Sequence, residues 1–209
     1  MKSVSESDDP IATPELISDS LPSHYQEVLY WSVTEKPARF IALQILGLLS
    51  FALSGLIFFS LALGVGKLAM AGSFTFGPGE IGIALVCILL TLVLHELTHG
   101  VVMRLFGAKP AYGILWKKMM LYATSPGFAY RRNAYVCILL APLILISILV
   151  VLGMWMGQGT LWVVVLGLCG AINASGAIGD MWMTTVVLRY APAAHVMDER
   201  DGIRVFLPR

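Results

Sequence analysis

Residues 41–65 make a run of twenty-five without one charged side chain. At a helical rise of about 1.5 Å per residue, such a run crosses a hydrocarbon core about 30 Å thick. Lipid offers no hydrogen-bond partners, so a spanning backbone must be helical or belong to a closed barrel, and a barrel strand needs only about 9–11 residues. A membrane helix is the reading that fits. Residues 134–156 give a second such run of twenty-three, with Pro142 inside it as an expected kink. Residues 81–105 and 161–188 are equally apolar over most of their length but carry ionisable residues within them. With 57% hydrophobic and 13% charged residues, against about 25% charged in soluble domains, the sequence predicts an all-α membrane protein with four transmembrane helices.

The spans divide the chain. Residues 1–37 are expected to be a polar, mostly disordered tail that gathers structure near Tyr25 and Trp31, residues 38–189 the membrane domain, and residues 190–209 a polar C-terminal tail. The connection 106–133 is the most basic, with Lys109, Lys117, Lys118, Arg131 and Arg132. Its residues 112–115 and 119–124 read either as a short β-hairpin around a turn at 116–118 or as an interfacial loop at headgroup depth. Four spans place both termini and this connection on one side, together with Lys36, Arg39 and Arg189, and the positive-inside rule makes that side the cytosol. The N-terminus lacks the basic, apolar, small-residue pattern of a cleaved signal peptide. A net charge of +1 gives no reason to expect nucleic acid. Cys87, Cys137 and Cys169 lie in apolar stretches with no C-x-x-C pair, and read as reduced packing residues.

Within the second span stands His95-Glu96-Leu97-Thr98-His99. Side chains four apart share a helix face, so His95 and His99 are placed to hold one cation, zinc by preference, with Glu96 beside them as general base. Such a site needs a third protein ligand and an open position for water. Spans two and four run in the same direction. His95 precedes Arg104 by nine residues and Asp180 precedes Arg189 by nine, so both lie roughly 13 Å below the same interface. That shared depth makes Asp180 the expected third ligand. Asn173, Gly176 and Asp180 share a helix face, which points the Asn173 amide at the reacting water or a substrate carbonyl. The competing readings are a hydrogen-bonded polar patch or proton path with no metal, an Asp180 that is protonated or paired with a basic residue, and an Asn173 that only bonds between helices.

H-E-L-T-H-G at 95–100 in a membrane helix, S-P-G at 125–127, A-P-L at 141–143 and N-A-S-G-A-I-G-D at 173–180 together resemble the membrane group described as putative zincin peptidases. The likeness covers residues 80–190, and is more distantly similar to the site-2 protease family of intramembrane metalloproteases. The resemblance implies metal ligation by His95, His99 and Asp180, a base role for Glu96 and substrate or oxyanion assistance by Asn173. It also implies a membrane-protein or peptide substrate. The expected function is a zinc-dependent endopeptidase in the lipid bilayer. The rival is a non-proteolytic membrane protein, either a metal-binding transporter or an inactive relative that binds partners.

Overall fold

The computed structural model describes residues 21–33, 35–68, 77–116, 120–200 and 202–209. The chain runs β1 (Tyr25–Ser32), α1 (Pro37–Gly64), α2 (Pro78–Leu105), β2 (Ala111–Leu115), β3 (Met120–Thr124), β4 (Ala129–Arg131), α3 (Arg132–Met156), α4 (Trp162–Gly176), α5 (Ile178–Val187), β5 (His195–Asp198) and β6 (Gly202–Pro208). Among the described residues four helical segments, with α4 and α5 taken as one, are long and apolar enough to cross a membrane. Their outward faces carry Leu53, Leu56, Leu89 and Leu149 at more than 60% exposure. In water that would be an unusually large apolar surface, whereas in lipid it is the solvated one.

Both α1 and α2 open with proline in the first turn, where a missing N–H costs nothing and the fixed φ suits the helix. The end of α2 is fixed by a Schellman motif: Ala108 N–H reaches Met103 O at 3.1 Å and Gly107 N–H reaches Arg104 O at 2.9 Å. Gly107 takes φ +90°, which only glycine adopts freely. The fourth span is broken at Ala177, between α4 and α5. Beside the break, Ser50 donates to Ala174 O at 3.2 Å and Ser175 to Gly47 O at 2.8 Å, so paired serines tie α1 to α4. The α4 helix packs against α1, α2 and α3, while α1 and α2 share no comparable contact.

The structure adds to the helical expectation a four-stranded antiparallel sheet in the order β1-β6-β5-β4. Residues 195–208 are therefore no tail; they form β5 and β6, and β6 pairs along β1 from Tyr25 opposite Pro208 to Ser32 opposite Gly202. Of the N-terminal segment, residues 1–20 lie outside the described residues. The sheet closes one end of the bundle through a core that includes Trp31, Met103, Tyr135, Ile138, Val187, Val196 and Val205. In the connection after α2, β2 pairs antiparallel with β3, Ala111 opposite Thr124 and Leu115 opposite Met120. Most of the turn expected at 116–118 lies outside the described residues. At the far end of the bundle a second, wholly apolar core gathers Phe58, Ile146, Val150, Met154 and Val163.

A close contact between α1 and α4 tests this packing. A Cβ at Gly170 would lie 2.6 Å from the Phe58 ring, so Gly170→Val should push α1 off α4. We expect a loss of about 1–3 kcal/mol, the usual size of an overpacking penalty, read as a lowered thermal midpoint in detergent.

Candidate metal centre

His95 and His99 project from consecutive turns of α2, with ring centroids 5.0 Å apart. Each ring has one nitrogen already engaged. His99 Nδ1 lies 2.9 Å from the carbonyl of Ile138 in α3. A carbonyl only accepts, so Nδ1 carries the hydrogen. This carbonyl is available because the residue four positions on is Pro142, which has no N–H to close the helical bond. His95 Nδ1 lies 3.0 Å from Asn173 Oδ1, and the amide is oriented by its other end, Asn173 Nδ2 donating to Pro142 O at 3.2 Å. His95 Nδ1 is thus a donor as well.

The other nitrogen of each ring, Nε2, faces the same carboxylate oxygen. Asp180 Oδ2 lies 3.1 Å from His95 Nε2 and 3.4 Å from His99 Nε2. One candidate ligand atom from each of the three residues lies within 4.8 Å of the others, and all three residues are buried, at 6–8% exposure. Three lone-pair-bearing atoms facing one point need a positive charge among them, either a proton or an ion. Two imidazole nitrogens and a carboxylate oxygen, each held by a further hydrogen-bonded group or a packed helix, fit a divalent metal with three protein ligands. The expected ligands are therefore brought together, and Asn173 stands behind His95 with both ends of its amide in use.

Glu96 follows His95 and is half-buried; among the described residues it is outside the metal-ligand group. The backbone N–H of Ala123 in β3 is directed at its carboxylate. It lines the same cavity as the histidines, a space of about 850 Å³. One wall is a face of α1 with Gln44, Leu48 and Phe51, opposite α2 and the Met120–Ala123 stretch of β3, while the β5–β6 turn covers the end nearest the sheet. Gly100 lets the hairpin cross this close to the motif, since a Cβ there would fall within the Tyr112 side chain.

That turn brings in a carboxylate that the sequence reading had assigned to the tail. Asp198 is 7% exposed; Tyr135 donates its hydroxyl to Oδ1 and Thr124 donates to the Asp198 backbone carbonyl at 3.2 Å. Its Oδ2 is buried without a hydrogen-bond partner among the described residues. Burial pushes the carboxyl up to about 7, against the lowering effect of the hydrogen bonds from Tyr135 and Thr124. The signal in the sequence was the Asp201-Gly202 pair between two stretches rich in β-formers. His195 lies in β5 with its ring edge-on to Tyr25 at 4.7 Å.

Two outcomes follow from these contacts. Pro142→Ala gives Ile138 O a competing helical N–H, and we expect metal Kd to rise by about 10–100-fold with no loss of helix stability, measured by competition with a chromophoric chelator. For Asp198 the folded pKa of about 7 exceeds the unfolded value of about 3.9, so the folded state holds the extra proton and stability falls as pH rises from about 4 to 7. Asp198→Asn should remove that slope, up to about 4 kcal/mol, and melt higher than wild type at pH 8 in a thermal series.

No curated protein and no solved structure gives a significant match to this chain. A family model does match, over residues 88–195, and that span contains the two histidines, Glu96, Asn173, Pro142 and Asp180. The chain belongs to the family described as putative zincin peptidase.

Proposed function

We propose that this protein is a membrane-embedded zinc endopeptidase that cleaves a membrane or juxtamembrane polypeptide at a site open to the cytosolic side. The observation that carries the proposal is the meeting of two imidazole Nε2 atoms and Asp180 Oδ2 beside a carboxylate, Glu96, that stays outside the ligand group. His95, His99 and Asp180 hold the metal. Zinc bound there supplies the Lewis acidity that brings water's pKa towards 7 and polarises a carbonyl.

The remaining steps belong to the chain. Glu96 takes a proton from the attacking water and returns it to the departing amine. Asn173 and the Ile138 carbonyl fix the tautomers of His95 and His99, so each ring keeps its Nε2 lone pair directed inward. Because both ends of the Asn173 amide are engaged, its geometry favours this orienting role over direct contact with an oxyanion. The substrate must be extended, because a helix hides its own carbonyls. In the two-stranded sheet β2-β3, the Met120–Ala123 stretch of β3 borders the cavity, which supports pairing of an extended segment with that strand. The separation of α1 from α2 gives such a segment a lateral way in from lipid.

The cytosolic assignment rests on Lys36, Arg39, Arg104, Arg131, Arg132 and Arg189, all at the end of the bundle that carries the four-stranded sheet. A transport role would need polar groups continuing towards the other end. There the buried core is apolar, with Phe58, Ile146, Met154 and Val163, and spans one and three contain no Asp, Glu, His, Lys or Arg between 41 and 65 or between 134 and 156.

The test is Glu96→Gln. Metal content should remain at wild-type level while new N-termini, mapped in membranes that express either protein, fall by about 10²–10⁴-fold, the range for a lost general base. Wild-type cleavage in that variant would overturn the assignment of the base.

A further inference from the structure

The run 41–65 contains four polar side chains: Gln44, Ser50, Ser54 and Ser60. The three serines are satisfied on carbonyls, Ser50 on Ala174 O at 3.2 Å, Ser54 on Ser50 O at 2.6 Å and Ser60 on Leu56 O at 2.9 Å. Thr91 and Thr98 behave alike, bonding to Cys87 O at 2.8 Å and to Leu94 O at 2.7 Å, while the buried Thr184 hydroxyl in α5 has no partner among the described residues but is not among the cavity-lining groups. Gln44 differs. It is exposed, makes no hydrogen bond with any described residue, and lines the cavity that holds the metal-ligand group. Gln44, Gly47, Leu48 and Phe51 follow helical spacing along the same wall, so the carboxamide is the polar group on an otherwise apolar face.

A carboxamide has the hydrogen-bonding groups of a peptide unit, a donor N–H₂ and an acceptor carbonyl. In a hydrocarbon environment it needs a partner as a backbone does. An apolar helix entering between α1 and α2 offers none, because its peptide groups are bonded to one another. Once a stretch of that helix unwinds, its N–H and C=O groups lose their partners. They then face β3 on one side of the cavity and Gln44 on the other.

We infer that Gln44 binds the unwound backbone of the substrate, acting as the hydrogen-bonding group on the α1 side of the cleft. The recognised chemistry is an extended, unpaired peptide segment within a membrane-spanning polypeptide, without regard to its side chains. Gln44 thereby selects substrates whose helix breaks readily, and it acts on binding before any bond is cut. The inference takes its substrate class from the proposed endopeptidase reading, but its test measures capture apart from hydrolysis.

The full chain carrying Glu96→Gln, with benzoylphenylalanine introduced at position 48, is placed in lipid nanodiscs. The probe is a biotinylated membrane-spanning peptide of about twenty leucine and alanine residues, either uninterrupted or with a central Asn-Gly-Pro break. We expect the interrupted peptide to crosslink at least fivefold more than the uninterrupted one. Adding Gln44→Met, which keeps length and removes both hydrogen-bonding groups, should weaken capture of the interrupted peptide about tenfold, or about 1.4 kcal/mol, with unchanged metal content and thermal midpoint. Capture that is indifferent to the break, or to Gln44→Met, overturns the inference. If Gln44→Met leaves capture intact while Glu96→Gln alone abolishes cleavage, Gln44 is removed and the endopeptidase stands. Capture that depends on Gln44 in a wild-type protein that cuts nothing keeps the peptide site and removes the endopeptidase.

Discussion

Pro142 has no hydrogen to give, and the site is assembled around the carbonyl that this leaves unclaimed in α3. In a lipid-surrounded helix an open carbonyl is costly unless something donates to it, and His99 Nδ1 does so at 2.9 Å. The bond fixes which nitrogen of that ring is protonated and where the other points. Pro142 acts a second time through its own carbonyl, which takes Asn173 Nδ2 and so turns Asn173 Oδ1 towards His95. One proline therefore sets both imidazoles, directly or through a single intermediate. The two Nε2 atoms then have a common direction, and Asp180 supplies the third atom from the short helix beyond the break at Ala177.

The sheet at the end of the bundle takes part in this arrangement. Tyr135, one turn before Ile138, is fully buried and donates to Asp198 at the end of β5. Through this bond the C-terminal hairpin is attached to the same stretch of α3 that presents its carbonyl to His99. Thr124, at the end of β3, holds the Asp198 backbone as well. The strand that borders the cavity, the turn that covers it and the helix that orients the histidines thus share one buried junction. An acid there with a carboxyl near 7 can change charge near neutral pH, and its unpaired oxygen makes the charged form the less favourable one in the folded protein.

The parts of this architecture that were legible in the sequence depend on local pattern. Apolar length gave the spans, since twenty or more uncharged residues have few other uses. The i, i+4 histidines followed from helix geometry, and Asp180 from counting residues to arginines at a shared interface. The four-stranded sheet was not legible in this way, because the pairing of its edge strand β1 with β6 joins Tyr25 to Pro208 across nearly the whole chain. The strands flanking it are also short, three residues in β4 and four in β5, and short segments leave little periodicity to read. Asp198 was missed for the same reason, as its burial comes from contacts distant in sequence, with Tyr135 of α3 and Thr124 of β3. Pro142 was visible as a proline but read as a kink; its role appears only when the carbonyl four residues earlier is found opposite His99.

The packing of α1 carries the last step. Its serines and Gly47 tie it to α4, yet it has no comparable contact with α2, and the cavity lies in that separation. Had the protein needed only to bury a structural ion, closing α1 onto α2 would have covered more apolar surface and shielded the ligands further. Instead the cleft has leucines and Phe51 on one wall and ionisable groups on the other. A lipid chain could fill such a space without using the polar wall, and water could use the polar wall without wetting the apolar one. Under the proposed endopeptidase reading a polypeptide would satisfy both, because its side chains are apolar in a membrane segment while its unwound backbone is polar, and that match would give the open α1–α2 face a physical reason.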